Sequence, residues 1–130
     1  MFFIKRIKKV VRTYNSLKGP QKEYLQHKET ARKLVIKQLE FFNGLYKLEY
    51  KRISIKNQRT RWGSCSKTGN LNFHYKIALL PEQLSSYIIV HELCHLSQFN
   101  HSQNFWNLVA RAIPNYKELR KKLKDGISLC

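Results

Sequence analysis

The run Pro81-Glu82-Gln83-Leu84-Ser85-Ser86-Tyr87-Ile88-Ile89-Val90-His91-Glu92-Leu93-Cys94-His95-Leu96 decides how the rest of this 130-residue chain is read. Proline is preformed for the first turn of a helix, so Pro81 marks a start. Leu84, Tyr87, Ile88, Ile89, Val90, Leu93 and Leu96 then make the helix apolar almost all round, which places it in a core. Within it stand His91, Glu92 and His95. Residues four apart stack on one helix face with Cβ atoms about 5–6 Å apart, so the two imidazoles can converge on a single metal ion. Glu92 lies one residue further round, beside the ligand face, where its carboxylate can reach a water on the metal. That is the position of a general base.

A third histidine, His101, follows six residues after His95 and is flanked by Asn100 and Ser102. The central helix is expected to end near Phe99, turn at Asn100 and restart with Ser102 as the cap of the next helix, which swings His101 back toward the other two. With His91, His95 and His101 as ligands, one Zn2+ per chain would keep its fourth position open, the catalytic and not the structural arrangement. The competing reading, core histidines satisfied by backbone carbonyls, would leave Glu92 buried without a partner at a cost of several kcal/mol. The expected chemistry is therefore hydrolysis: the metal lowers the pKa of its bound water toward about 7, and Glu92 takes the proton as that water attacks a carbonyl or phosphoryl group. Cys94, three residues after His91, reads as a small packed residue.

Outward from the central helix, Gly19-Pro20 punctuates the chain, and Tyr24, Ala31, Leu34, Val35, Gln38 and Phe42 trace a helical face that is expected to stop at Asn43-Gly44. Ile53 and Ile55 alternate with polar neighbours, residues 71–80 are rich in strand formers, and Lys67-Thr68-Gly69-Asn70 between them is turn chemistry, so two or three strands with a hairpin are expected. After His101, Phe105, Trp106, Val109 and Ala110 supply the apolar face of another helix. Pro114 interrupts it, and Asn115 with Glu118 resembles a capping box for a last helix whose basic end, residues 117–124, is solvated. The sum is an α+β fold, a small antiparallel sheet or hairpin packed on the HExxH helix with flanking helices. Residues 1–20 form a basic N-terminal segment and residues 21–130 the catalytic domain.

Composition sets the surroundings. The net charge is +17, with no acidic residue before Glu23 and none between Glu49 and Glu82. Such a surface can serve a polyanionic partner or simply keep a small protein in solution. Residues 3–17 alternate apolar and basic side chains at helical spacing, a pattern suited to packing on the domain or to a membrane surface. Three cysteines, Cys65, Cys94 and Cys130, form no disulfide framework, and no stretch is long enough to span a bilayer. A cytoplasmic protein of open oligomeric state is the expectation.

Three blocks carry a family resemblance: Arg59-Thr60-Arg61-Trp62-Gly63-Ser64-Cys65-Ser66 with Gly69-Asn70-Leu71-Asn72-Phe73, then His91-Glu92-Leu93-Cys94-His95-Leu96, then Asn100-His101-Ser102-Gln103-Asn104-Phe105-Trp106. In order and spacing they resemble the YgjP-like metallopeptidase domain over about residues 21–125. The resemblance implies a zincin-type fold, His91, His95 and His101 as ligands, Glu92 as the catalytic residue, and kinship to SprT-like and WLM-type proteases, some of which act on DNA-bound proteins. The region before the first long helix is shorter than in longer members. Metzincins have glycine where this chain has Gln98, so it is not assigned to them.

The resulting expectation is a zinc metallopeptidase that cleaves peptide bonds of a peptide or protein through a Glu92-activated, zinc-bound water. Trp62, Gly63 and Cys65 read as packing and turn residues on a strand edge above the cleft, where an extended peptide can add as a strand. Arg61, His74, Tyr75 and Tyr116 are the candidate substrate-binding and oxyanion-stabilising residues. The acid-free stretch from 50 to 81 also suits phosphates. It leaves open a metal-dependent nucleoside triphosphate pyrophosphatase, or a protease held on nucleic acid whose binding would weaken steeply with salt.

Overall fold

In the computed structural model, which describes residues 16–123, Tyr24, Ala31, Leu34, Val35, Leu39 and Phe42 line the inner face of a long helix, α1 (Gln21–Tyr46). The helix runs past Asn43-Gly44, where it was expected to stop, and closes at Lys47 in the left-handed region (φ 54°, ψ 47°). One glycine costs a helix interior only about 1 kcal/mol. Asn43 acts at the exit: its side-chain amide donates to the Leu48 carbonyl at 2.7 Å, and its Oδ1 accepts the Leu48 N–H at 2.8 Å.

Three strands follow, β1 (Arg52–Lys56), β2 (Gly63–Cys65) and β3 (Asn70–His74), in the order β1-β3-β2. The hairpin is there: β2 and β3 are antiparallel, and Gly69 takes φ 96° in the turn, a conformation that favours glycine. The sheet is mixed, because β1 runs parallel to β3 with Ile53 opposite Leu71 and Ile55 opposite Phe73. The expected antiparallel pairing thus holds for the hairpin and not for β1, because alternation places those four side chains on one face but does not set strand direction. The outer edge of β1 is covered by α1: the Tyr24 hydroxyl donates to the Ile55 carbonyl at 2.9 Å and Arg32 to the Ile53 carbonyl at 3.1 Å.

The opposite edge belongs to β2. The Trp62 carbonyl accepts the His74 N–H at 2.9 Å and the Ser66 N–H donates to the Asn70 carbonyl at 3.0 Å. Residues 62, 64 and 66 therefore bond inward to β3, and the backbone groups of Gly63 and Cys65 turn outward. A 3₁₀ turn (Tyr75–Leu79) leads into α2 (Glu82–His95), whose residues from Tyr87 to His95 are all buried. Then come α3 (Gln103–Ala112) and α4 (Tyr116–Leu123). Helix α2 is the hub, packed against α1, β2, β3, α3 and α4.

Residues 16–20 dock on the loop between β1 and β2. Leu17 is buried and its N–H donates to the Arg59 carbonyl at 2.8 Å, while Gly19 and Asn57 exchange hydrogen bonds of 2.9 and 2.8 Å. The amphipathic pattern upstream of them lies outside the described residues. No described helix is long and apolar enough to cross a membrane.

Candidate metal centre

Helix α2 ends at His95, sooner than Phe99, because Leu96, Ser97 and Gln98 tighten the last turn with hydrogen bonds to Leu93 and Cys94 carbonyls. The chain then reverses and restarts at Ser102, whose hydroxyl accepts the Phe105 N–H at 3.4 Å as the expected cap of α3. This reversal carries His101 to the α2 face. The Nε2 atoms of His91, His95 and His101 stand 3.2, 3.1 and 3.3 Å apart, a nearly equilateral triangle. Among the described residues these three form the group able to hold a metal ion.

Each ring is braced. His95 Nδ1 lies 2.9 Å from the Gln98 carbonyl, so it carries the proton and leaves the Nε2 lone pair for a metal. Phe105 stacks on His95 at 4.4 Å and meets His91 edge-on at 5.0 Å. Trp106 stacks on His101 at 5.8 Å. These contacts explain why an aromatic pair follows the third histidine: it is the wall that orients the ligand rings.

Glu92 is fully buried and outside the histidine triangle. It faces β2. A Cβ on Gly63 would stand 2.9 Å from Glu92 Cγ and 3.0 Å from its Oε2, closer than real Cβ contacts come. Two residues along the same strand, burial and the Glu92 charge push the Cys65 thiol up to about 11. The edge strand thus lies directly against the carboxylate.

The family model for the YgjP-like metallopeptidase domain matches residues 4–126. The chain belongs to this family. Two solved structures are similar to the YgjP-like chain. The metallopeptidase zymogen of Pyrococcus abyssi abylysin is 25% identical at TM-score 0.63, over 72% of this chain and 99% of that one. The zymogen of Methanocaldococcus jannaschii jannalysin is 26% identical at TM-score 0.57, over 72% and 92%. No curated protein matches it. A YgjP-like domain with a three-histidine cluster is a metallopeptidase fold, α+β with four described helices and a three-stranded mixed sheet.

The four candidate substrate residues of this YgjP-like domain part company. Tyr116 stacks on Trp106 at 5.0 Å and 11°, which joins it to the His101 side of the centre. Arg61 is exposed immediately before β2. His74 is fully buried with both ring nitrogens engaged: Nε2 donates to the Gln58 carbonyl at 3.0 Å and Nδ1 accepts the Lys76 N–H at 3.1 Å. Burial first, then the Lys76 charge, lowers its pKa to about 3 against an opposing hydrogen bond to Gln58, so the ring is neutral. Tyr75 packs on Tyr24 and His27 and donates to Glu23 at 2.8 Å, on the α1 side. These two are built into the scaffold.

Cys94 is packed as expected, fully buried, its thiol pushed up to about 12 by burial. Three residues near the centre escaped the sequence reading. Gly63 is a contact with Glu92 and not a turn residue. Tyr87, one helical turn before His91, is fully buried with its ring edge-on to His91, and burial raises its pKa. Arg120 lies over the Trp106 ring at 4.8 Å.

Proposed function

We propose that this chain is a zinc-dependent metallopeptidase in which His91, His95 and His101 hold the metal and Glu92 is the general base. The observation that carries the reading is the triangle of Nε2 atoms beside a buried carboxylate. A tetrahedron with edges of about 3.2 Å has its centre about 2.0 Å from each corner, which is the zinc–imidazole nitrogen distance. Three neutral imidazoles suit zinc and leave one corner for water or substrate. Bound there, zinc would supply Lewis acidity toward the scissile carbonyl and would acidify the attacking water.

The protein's own part follows from its geometry. Glu92, held against Gly63, accepts the proton of the attacking water and passes it to the leaving amine. The outward backbone of Gly63 and Cys65 gives an extended peptide a strand to pair with, which would run the substrate along the open edge of β2. Arg61, exposed before β2, and Tyr116, stacked on Trp106, are the candidate side chains for substrate contact. Both described cysteines are free thiols, in keeping with a reducing compartment such as the cytoplasm.

The test pairs metal content with turnover. Glu92→Gln should bind one zinc per chain and lose about 10²–10⁴-fold in peptide hydrolysis, the span of general-base catalysis. Wild-type turnover by that variant, or no peptide cleavage by the zinc-loaded parent, would overturn the assignment.

A further inference from the structure

Trp106 links the metal centre to α4. One face of the indole stacks on His101 at 5.8 Å and 22°, and Tyr116 stacks at 5.0 Å and 11°. The indole is thus the ring that the His101 imidazole and the Tyr116 phenol share. Arg120, four residues beyond Tyr116 and therefore on the same side of α4, sets its guanidinium carbon 4.8 Å over the indole. Stacking of this kind fixes the plane of the guanidinium and leaves its edge donors free to point outward.

No ion pair of Arg120 occurs among the described residues. Glu118, the carboxylate nearest in sequence, is engaged by Lys122 at 2.9 Å. Tyr87 adds a second, independent sign of a built site: its hydroxyl is buried, has no hydrogen-bond partner among the described residues, and feels the charges of Arg120, Glu92 and Tyr116. A buried hydroxyl left open, within the electrostatic reach of a pinned guanidinium that has no ion pair among the described residues, suits an anionic ligand. Steps of 4.8 and 5.8 Å through the Trp106 ring keep the guanidinium within their sum of the His101 ring. Extended peptide covers such a span in two or three residues at about 3.3–3.6 Å each.

We propose that Arg120 is a specificity residue that binds a carboxylate of the peptide substrate two or three residues from the bond cleaved. This rests on the metallopeptidase reading and names its substrate class. The carboxylate is either the peptide's C-terminus or an Asp or Glu side chain. Tyr87 offers its hydroxyl to the same group, and Trp106 holds Arg120 at the right distance from the metal.

The experiment uses the zinc-loaded full chain and matched peptides: a free C-terminal acid against its amide, and Asp against Asn at each position within three residues of the cleavage point. The wild-type protein should favour the acid of the matching pair by about tenfold in KM, the size of one charge-assisted hydrogen bond. In Arg120→Gln that ratio should fall to near one, and in Arg120→Lys to an intermediate value. Arg111→Gln, which alters an α3 guanidinium lying over Tyr46 of α1, should keep it. The pair that discriminates tells a terminal from a side-chain carboxylate. An unchanged ratio in Arg120→Gln, or no preference in the wild type, overturns the proposal. Binding of the same labelled peptides to zinc-loaded Glu92→Gln, by fluorescence anisotropy, separates the two readings. Acid-selective binding that depends on Arg120 without any hydrolysis by the parent sinks the peptidase reading alone, and unselective binding sinks this one.

Discussion

Gly63 and Glu92 are packed so closely that a methyl group on the glycine would stand 2.9 Å from the carboxylate's Cγ and 3.1 Å from the Asn72 carbonyl. The contact joins the edge strand to the HExxH helix, and it sets where the carboxylate points. Gly63→Ala should displace the Glu92 side chain, since the Asn72 oxygen is backbone and cannot yield. We expect turnover to fall by at least about tenfold with zinc stoichiometry unchanged, and stability to drop by about 1–3 kcal/mol, the usual cost of overpacking. Steady-state kinetics with metal analysis and a urea titration check this. Full activity in the alanine variant would mean that the contact does not position the base.

What could be read in advance was whatever is local in sequence. The i, i+4 histidines, the apolar helix around them, the Ser102 cap and the turn that returns His101 are all set within about twenty residues, and each is in the structure, with the helix ending at His95 and not near Phe99. Pairings between elements were not legible. The parallel register of β1 on β3, the approach of Gly63 to Glu92 and the seat of Arg120 on Trp106 join separate elements whose own periodicity does not say how they meet. His74 and Tyr75 lie in sequence just before the metal helix, and this nearness made them candidates. In space they turn into the scaffold, toward Gln58 and Glu23. The Asn115–Glu118 capping box misled differently: Glu118 directs its carboxylate to Lys122, and only backbone bonds link it to Asn115.

Metal removal should be felt by the whole domain, because an ion held by the proposed ligands His91, His95 and His101 would tie the end of α2 to the turn before α3. Zinc at 100 times its dissociation constant should stabilise the native chain by about 2.7 kcal/mol. Thermal melts with zinc and with chelator should differ by several degrees. In His101→Ala most of that difference should vanish. Equal zinc-dependent stabilisation of the alanine variant would remove His101 from the ligand set.

Trp106 supports His101 without touching metal. Replacing it with alanine deletes the stack at 5.8 Å and frees the imidazole to rotate. Loss of such an outer partner typically weakens metal binding about 10–100-fold. Competition with a chromophoric chelator measures the effect, and circular dichroism shows whether the helices persist. An unaltered affinity would make the indole a partition only, with no hold on the ligand.

His74 should make the fold acid-sensitive. Burial and then the Lys76 charge lower its folded pKa to about 3 from the ordinary 6.5. An unfolded chain therefore takes up a proton below about pH 6.5 that the folded one refuses until about pH 3. The sign follows: stability is at its full value above pH 6.5 and is lost as pH falls through that window, by up to about 1.4 kcal/mol per unit from this residue. His74→Asn retains an acceptor for the Lys76 N–H and cannot titrate. It should be less stable than the parent near pH 7.5, having lost the Gln58 bond, yet lose less between about pH 7.5 and about pH 5. Urea midpoints of the two metal-free proteins across that range provide the measurement. Parallel pH profiles would show that His74 is protonated in the fold as readily as in the unfolded chain.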